Sequence, residues 1–219
     1  IADLNNHRAT VRLLVLDPML PGQRLRTAVP PQLVSVLRDA PTLVMVGRER
    51  MEPNSHGVEV EVEAIIERPD LRHVGLEADV VLAARRCCGV LEVGPDEGSR
   101  WLGRAARVQW IALDDEEVEQ ADEVRERSEA LARLSSLWID LVRSTGRERE
   151  KGQLDAVLGD LGDMPDAPNA RALWVAALIN PLPALGLALE IRPSALMAGD
   201  SVELRQKIVQ MGILDAVER

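Results

Sequence analysis

The stretch from Val11 to Ala40, VRLLVLDPMLPGQRLRTAVPPQLVSVLRDA, leaves the chain few ways to fold. An apolar strand runs to Leu16 and is broken at Asp17-Pro18, Pro21-Gly22 makes a turn, and a second short strand follows. Pro30-Pro31 then opens a helix with Leu33, Val36, Leu37 and Ala40 on one face, because proline presets the first helical φ and lacks only an N–H that would be unpaired there anyway. Strand, turn, strand and helix follow one another without linker. The proline-glycine hinge must therefore fold the chain back early, so that the first half becomes a small closed sheet.

The residues beyond continue the sheet. Thr42 to Gly47 is a short apolar run, read as a buried strand, and Pro53-Asn54-Ser55 reads as a loop. From Gly57 to Ile65 the alternation is clean. Val58, Val60, Val62 and Ala64 point one way and Glu59, Glu61 and Glu63 the other, as in a half-buried antiparallel strand. Glutamates in line on a wet face need no metal, since a calcium or magnesium site needs oxygen ligands converging from loops. After the Arg68-Pro69-Asp70 turn, strands are expected at Leu71 to Leu76 and Val80 to Val93. A turn at Gly94 to Gly98 leads to a closing strand from Leu102 to Leu113, with Ala106, Val108, Trp110 and Ala112 on one face. Ile1 to Thr10 reads as a tail.

Beyond the acidic run Asp114 to Glu117 the pattern turns helical. Val124, Leu131, Leu134, Trp138, Leu141 and Val142 mark a long amphipathic helix to about Ser144. A loop or a short helix is expected near Leu154 to Leu158, helices around Pro183 to Glu190 and Pro193 to Ala198, and a last one from Asp200. In that last helix Asp200 and Glu203 form a capping-box-like pair, and Leu204, Ile208, Met211, Leu214 and Val217 line the apolar side.

These segments, in this order, resemble the substrate-binding (LON) domain found at the N-terminus of Lon protease and in proteins that carry that domain alone. The family's Phe-Pro-Gly turn corresponds to Leu20-Pro21-Gly22, and its Phe-Glu-Pro-Arg-Tyr helix start to Val29-Pro30-Pro31-Gln32-Leu33. Its Gly-Arg-Arg-Phe-Arg-Val-Leu-Glu strand is matched around Arg85-Arg86-Cys87-Cys88-Gly89-Val90-Leu91-Glu92, and its Trp-Val-Ala helix by Trp174-Val175-Ala176. Aromatic positions of the family are aliphatic here. The resemblance implies an α+β fold, with a PUA-like β pseudo-barrel over 1–113 followed by a helical bundle over 114–219. It also implies recognition of exposed hydrophobic or unfolded polypeptide. The residues singled out for that contact are Leu20, Pro21, Arg24 and Arg26 in the loop, Leu33 on the helix, and Trp101 and Trp110 as anchors. Core packing is the plainer role for each.

Several chemistries are excluded or disfavoured. A net charge of −10 repels a phosphate backbone, and the basic residues Arg85, Arg86, Arg100, Arg104 and Arg107 read as solvated strand-edge charge. Cys87 and Cys88 are adjacent and face opposite ways, while His7, His56 and His73 are scattered, so no disulfide and no zinc site are expected. No phosphate-binding loop occurs, and the only lysines are Lys151 and Lys207. Gly199-Asp200-Ser201 superficially resembles an esterase motif, yet no histidine follows it, and a helix cap accounts for the same residues. No cofactor is expected. The longest apolar run, Leu173 to Leu189, is broken by Asn180, Pro181 and Pro183, so no membrane span is expected. With neither Phe nor Tyr, the core must be aliphatic with tryptophans. The cysteine usage fits a reducing compartment, cytoplasm, organelle matrix or plastid stroma, and the opening on Ile1 rather than Met fits a removed organellar transit peptide. The expected function is non-catalytic polypeptide binding, with a permanent subunit of a larger, plastid-type assembly as the alternative.

Overall fold

The computed structural model describes residues 8–16, 18–49, 52–95, 102–112, 121–182, 184–185 and 188–218. Contacts divide the chain into two units. One comprises Ile1–Met19 and Arg24–Ile111, the other Leu20–Gln23 and Ala112–Arg219.

The first unit holds β1 (Arg8–Val15), β2 (Arg24–Val29), α1 (Pro31–Asp39), β3 (Thr42–Glu49), β4 (Glu52–Glu67), β5 (Ala78–Val93) and β6 (Leu102–Trp110). The strand order is β2-β5-β4-β3-β1-β6, and β5 also pairs with β6. The strands β1, β3, β4, β5 and β6 thus close into a ring. β1 and β3 run parallel, which requires a crossover, and β2 with α1 supplies it. The start of β5 takes β2, from Val29 opposite Ala78 to Arg24 opposite Ala83. Its far end takes β6, from Cys88 opposite Trp110 to Val93 opposite Ala106. Leu13, Val44, Val46, Cys88, Ala106, Val108 and Trp110 fill one core cluster, aliphatic apart from one thiol and one ring.

α1 forms as expected, with Pro30 extended before it and Leu33, Val34 and Leu37 buried. Several other expectations are corrected. Arg8 to Thr10 belong to β1 rather than to a tail, because they pair with Gln109, Val108 and Arg107 of β6. Pro53 to Ser55 lie inside β4, where Pro53 sits opposite Arg48. The register of β4 with β5 begins only at His56, so β4 is an edge at Pro53 and tolerates a residue without an N–H. Leu71 to Leu76 is no strand. Pro69–Val74 is a 3-10 helix without a buried residue, ended by Gly75 at φ 81. In β4, Val58 and Val60 are buried as expected while Val62 and Ala64 are half-buried, on either side of a register shift against β5. Ala112 lies past β6 and is exposed.

The second unit holds α2 (Asp122–Thr145), α3 (Gln153–Leu161), α4 (Pro168–Ile179), α5 (Arg192–Met197) and α6 (Val202–Glu218). α4 is buried all round from Ala172 to Ile179 and packs against α2, α3, α5 and α6, the behaviour of a helix apolar on every face. Arg205 of α6 is fully buried. Its guanidinium donates to the carbonyls of Ala195 and Gly199 and to Asn169 Oδ1, tying the end of α5 and the turn after it to the start of α4.

Two expectations fail in this unit. Among the described residues no helix lies between Asn180 and Ile191. Asn180 Nδ2 instead donates to Leu189 O, and Asn180 Oδ1 accepts from Ile191 N–H, so one side chain holds the backbone at Leu189 and Ile191. The last helix begins at Val202, not Asp200, and presents the opposite face inward. Val202, Arg205, Gln206, Val209, Gly212, Ile213 and Ala216 are buried. Among the described residues no helix is long and apolar enough to cross a membrane.

Candidate functional site

Leu20-Pro21-Gly22-Gln23 is a type II turn. Gln23 N–H donates to Leu20 O at 3.0 Å, proline occupies the position that needs φ near −60°, and Gly22 takes φ 85. The Gln23 side chain then reaches far along the sequence. Its Oε1 accepts from Leu20 N–H at 2.9 Å, and its Nε2 donates to Ala177 O at 3.2 Å and Asn180 O at 2.8 Å. Carbonyls in the last turn of a helix have no partner within it, so Gln23 caps α4. Leu20, expected at a binding surface, is fully buried, and Pro21 is half-buried.

Arg24 and Arg26 project from the exposed side of β2. Arg24 pairs with Glu63 at 3.0 Å and stays 50% exposed; Arg26 pairs with Asp79 at 2.9 Å and stays 63% exposed. Arg68 also reaches Asp79, at 2.8 Å, and Asp70 at 2.7 Å. Arg26, then Arg68, hold the Asp79 carboxyl below the usual carboxylate range, and Arg68 does the same for Asp70. Arg85 pairs with Glu61 and Glu63, and Arg86 with Glu59. The glutamate row of β4 is therefore matched by guanidinium groups. Among the described residues no cluster of His, Cys, Asp and Glu could hold a metal ion.

The other basic residues are engaged as well. Arg107 pairs with Glu92 and Arg104 donates to Gly94 O, while Arg100 lies outside the described residues. Trp110 is 8% exposed and covered by the Arg86 guanidinium, 3.9 Å from the ring centroid. Leu33 is buried, and Trp101 lies outside the described residues. Neither Cys87 nor Cys88 is in a disulfide, and both are buried. Burial, then the neighbouring Cys87, pushes the Cys88 thiol up to about 12. Ser201 Oγ accepts from Leu204 N–H at 3.4 Å, so the cap of α6 is Ser201 rather than Asp200.

Two surfaces escaped the sequence reading. β2 is paired on one side only, by β5; among the described residues no strand takes its other edge, whereas every strand of the ring is flanked on both sides. The residues expected inside α6 form its outer face: Leu204 is 49% exposed, Met211 67% and Leu214 41%, with Ile208 half-buried beside them. The signal was present in composition. α6 carries two apolar stripes, and hydropathy favours the one without Arg205 and Gln206, whereas the structure buries those two polar residues.

A solved structure shares this architecture. The N-terminal domain of Lon protease from the Mycobacterium avium complex superposes with a TM-score of 0.60 at 16% identity, covering 96% of this chain and 98% of that one. A Lon N-terminal domain protein from Xanthomonas campestris gives a TM-score of 0.42 at 20% identity, covering 57% of this chain and 72% of its own. No family model matches the sequence, and no curated protein matches it. At that identity the likeness to the mycobacterial domain establishes the fold: the chain has the α+β architecture of a Lon N-terminal domain along almost its whole length.

Proposed function

We propose that this chain is a polypeptide-binding domain of the Lon N-terminal type that takes up unfolded or exposed hydrophobic segments and performs no chemistry on them. The shared fold supports the reading, and one observation carries it. The outer face of α6 presents Leu204, Met211 and Leu214 to solvent, and a contiguous apolar stripe on an otherwise well-packed helix is the surface expected to meet a partner. The proposal leaves Ser201 in its capping role and gives nucleic acid no part, since Arg85, Arg86 and Arg107 are already paired with carboxylates.

The test is fluorescence anisotropy of labelled, reduced and carboxymethylated lysozyme titrated with the full chain. Binding is expected, and the double substitution Leu204→Ser, Met211→Ser should weaken it at least about tenfold, the loss of one partly buried apolar contact or more. The melting temperature should hardly move, because exposed positions contribute within about 0.5 kcal/mol. No binding by the unaltered chain would end the proposal, and equal binding by the variant would remove α6 from it. A permanent seat in a larger assembly predicts something different: the purified chain would aggregate without its partner, which size-exclusion chromatography reads.

A further inference from the structure

We propose that the apolar outer face of α6 selects cationic polypeptide, segments in which lysine or arginine is interspersed with apolar residues. The inference rests on reading the chain as a polypeptide binder and names the class of segment that this same face takes up. Leu204, Met211 and Leu214 are 49%, 67% and 41% exposed, so the face meets solvent over about three turns of the helix. Apolar contact alone separates one unfolded segment from another only weakly, because every such segment carries apolar side chains. Charge supplies the discrimination, and it is divided unevenly over the chain. The first unit holds 14 basic and 15 acidic side chains, close to balance. The helical unit holds 12 basic and 21 acidic ones, and so carries −9 of the chain's −10. That imbalance does not depend on the acidic run before α2, since the described residues of the unit alone hold 11 basic against 16 acidic side chains.

α6 repeats the bias locally. Glu203 adjoins Leu204, Glu218 lies one turn beyond Leu214, and Asp215 is half-buried between them. Against these three carboxylates stands one exposed cation, Lys207, whose ammonium group is 3.9 Å from the Glu203 carboxylate. Arg205, the other cation of the helix, is fully buried. The summed field of such a surface raises the local concentration of cationic segments and lowers that of anionic ones, whatever short-range pairs form within it. The same field disfavours a second copy of this chain, because two helical units meeting through α6 would set −9 against −9. A cationic segment gains twice: its apolar side chains cover Leu204, Met211 and Leu214, and its charges offset those of the unit.

The experiment titrates the full chain into a short labelled peptide with leucine at every third position and lysine and serine between, into versions with glutamate or serine in place of lysine, and into carboxymethylated lysozyme as the general unfolded probe. At pH 7 and low salt the lysine peptide should bind at least about tenfold tighter than the glutamate peptide, with the serine peptide between them. Raising salt to about 1 M, where the Debye length is about 3 Å, should shrink that ratio at least about threefold. Leu204→Ser with Met211→Ser should weaken the lysine peptide at least about tenfold. Glu203→Gln with Glu218→Gln should weaken it at least about threefold and leave the serine peptide unchanged, which also shows that this variant is folded. Equal binding of the three peptides, or a lysine preference untouched by the Leu204 and Met211 substitutions, overturns the selection of cationic segments; binding of carboxymethylated lysozyme then leaves the polypeptide-binding reading intact. A concentration-dependent dimer that Leu204→Ser with Met211→Ser dissolves gives the face to a second copy and overturns the inference as well. Failure of the chain to bind carboxymethylated lysozyme at all overturns that reading and this inference with it.

Discussion

Asp79 is the carboxylate on which two guanidinium groups of the sheet converge. It accepts from Arg26 of β2 and from Arg68 before the 3-10 helix, with its own side chain 9% exposed. A carboxyl whose pKa falls on folding stabilises the fold above its unfolded value, about 3.9, and that contribution is lost as pH falls through the lower folded value. The shifts of Asp79 and Asp70 are both downward, so the melting temperature should decline on acidification below about pH 4. Asp79→Asn should melt lower than the unaltered chain at pH 7 and lose less on acidification; parallel curves from pH 7 to pH 2 would remove the carboxylate from the account. The Cys88 thiol, pushed up to about 12 by burial, should stay protonated at pH 8 and resist iodoacetamide until the chain is unfolded. Labelling of Cys88 in the native state would contradict its placement in the core. At this scale much was legible: alternation placed Glu59, Glu61 and Glu63 off the core, and adjacency separated the two cysteines. Their arginine partners were not legible, because they come from other strands whose register no single segment encodes.

Among the elements, those with punctuation at their ends were read best. Pro31 started α1 and the amphipathic spacing of α2 located it to within a residue or two, whereas Leu71 to Leu76 had strand-like composition and no partner. The face of α6 was misjudged because its buried side includes Arg205, whose hydrogen bonds to α5 and Asn169 exist only once the helices have met. Two glycines test the packing of β4 and α6 by size alone. At Gly57 an added Cβ would lie 2.5 Å from Met45 O and 2.5 Å from Val46 Cγ1, and the carbonyl belongs to the neighbouring strand. Gly57→Ala should cost about 2–3 kcal/mol in urea denaturation. At Gly212 the added Cβ meets side-chain methyls only, Ile191 Cδ1 at 2.9 Å, Ile191 Cγ2 at 3.1 Å and Ile179 Cδ1 at 3.4 Å, and no backbone atom. Alanine there also gains about 1 kcal/mol of helix propensity, so Gly212→Ala should lie near zero. A cost near zero at Gly57 would mean that the β3–β4 pairing is looser than Val46 opposite Gly57 implies.

The units divide at Ile111–Ala112, beside the acidic run Asp114 to Glu117 where the sequence turns helical, with one exception. Leu20–Gln23 precedes β2 directly yet belongs with the helices that begin beyond residue 112, and Gln23 supplies the cap for the end of α4. The helical unit therefore lacks one of its own parts until the amino-terminal chain is present. Gln23→Leu keeps much of the volume and leaves Leu20 N–H and the Ala177 and Asn180 carbonyls without this partner. Each such buried group costs about 1–3 kcal/mol unless water reaches it, so a loss of about 3 kcal/mol is expected. Gln32→Leu, at an exposed position of α1, should change stability by less than about 0.5 kcal/mol. A chain of residues 112–219 alone should melt lower than the same helices in the full protein, and adding Gln23→Leu to the full protein should move its helical transition toward that of the fragment. Trp138 and Trp174 both lie in these helices, and their fluorescence follows the transition directly in the fragment. A fragment as stable as the full chain, together with a silent Gln23→Leu, would show that the turn only passes by the helices and does not complete them.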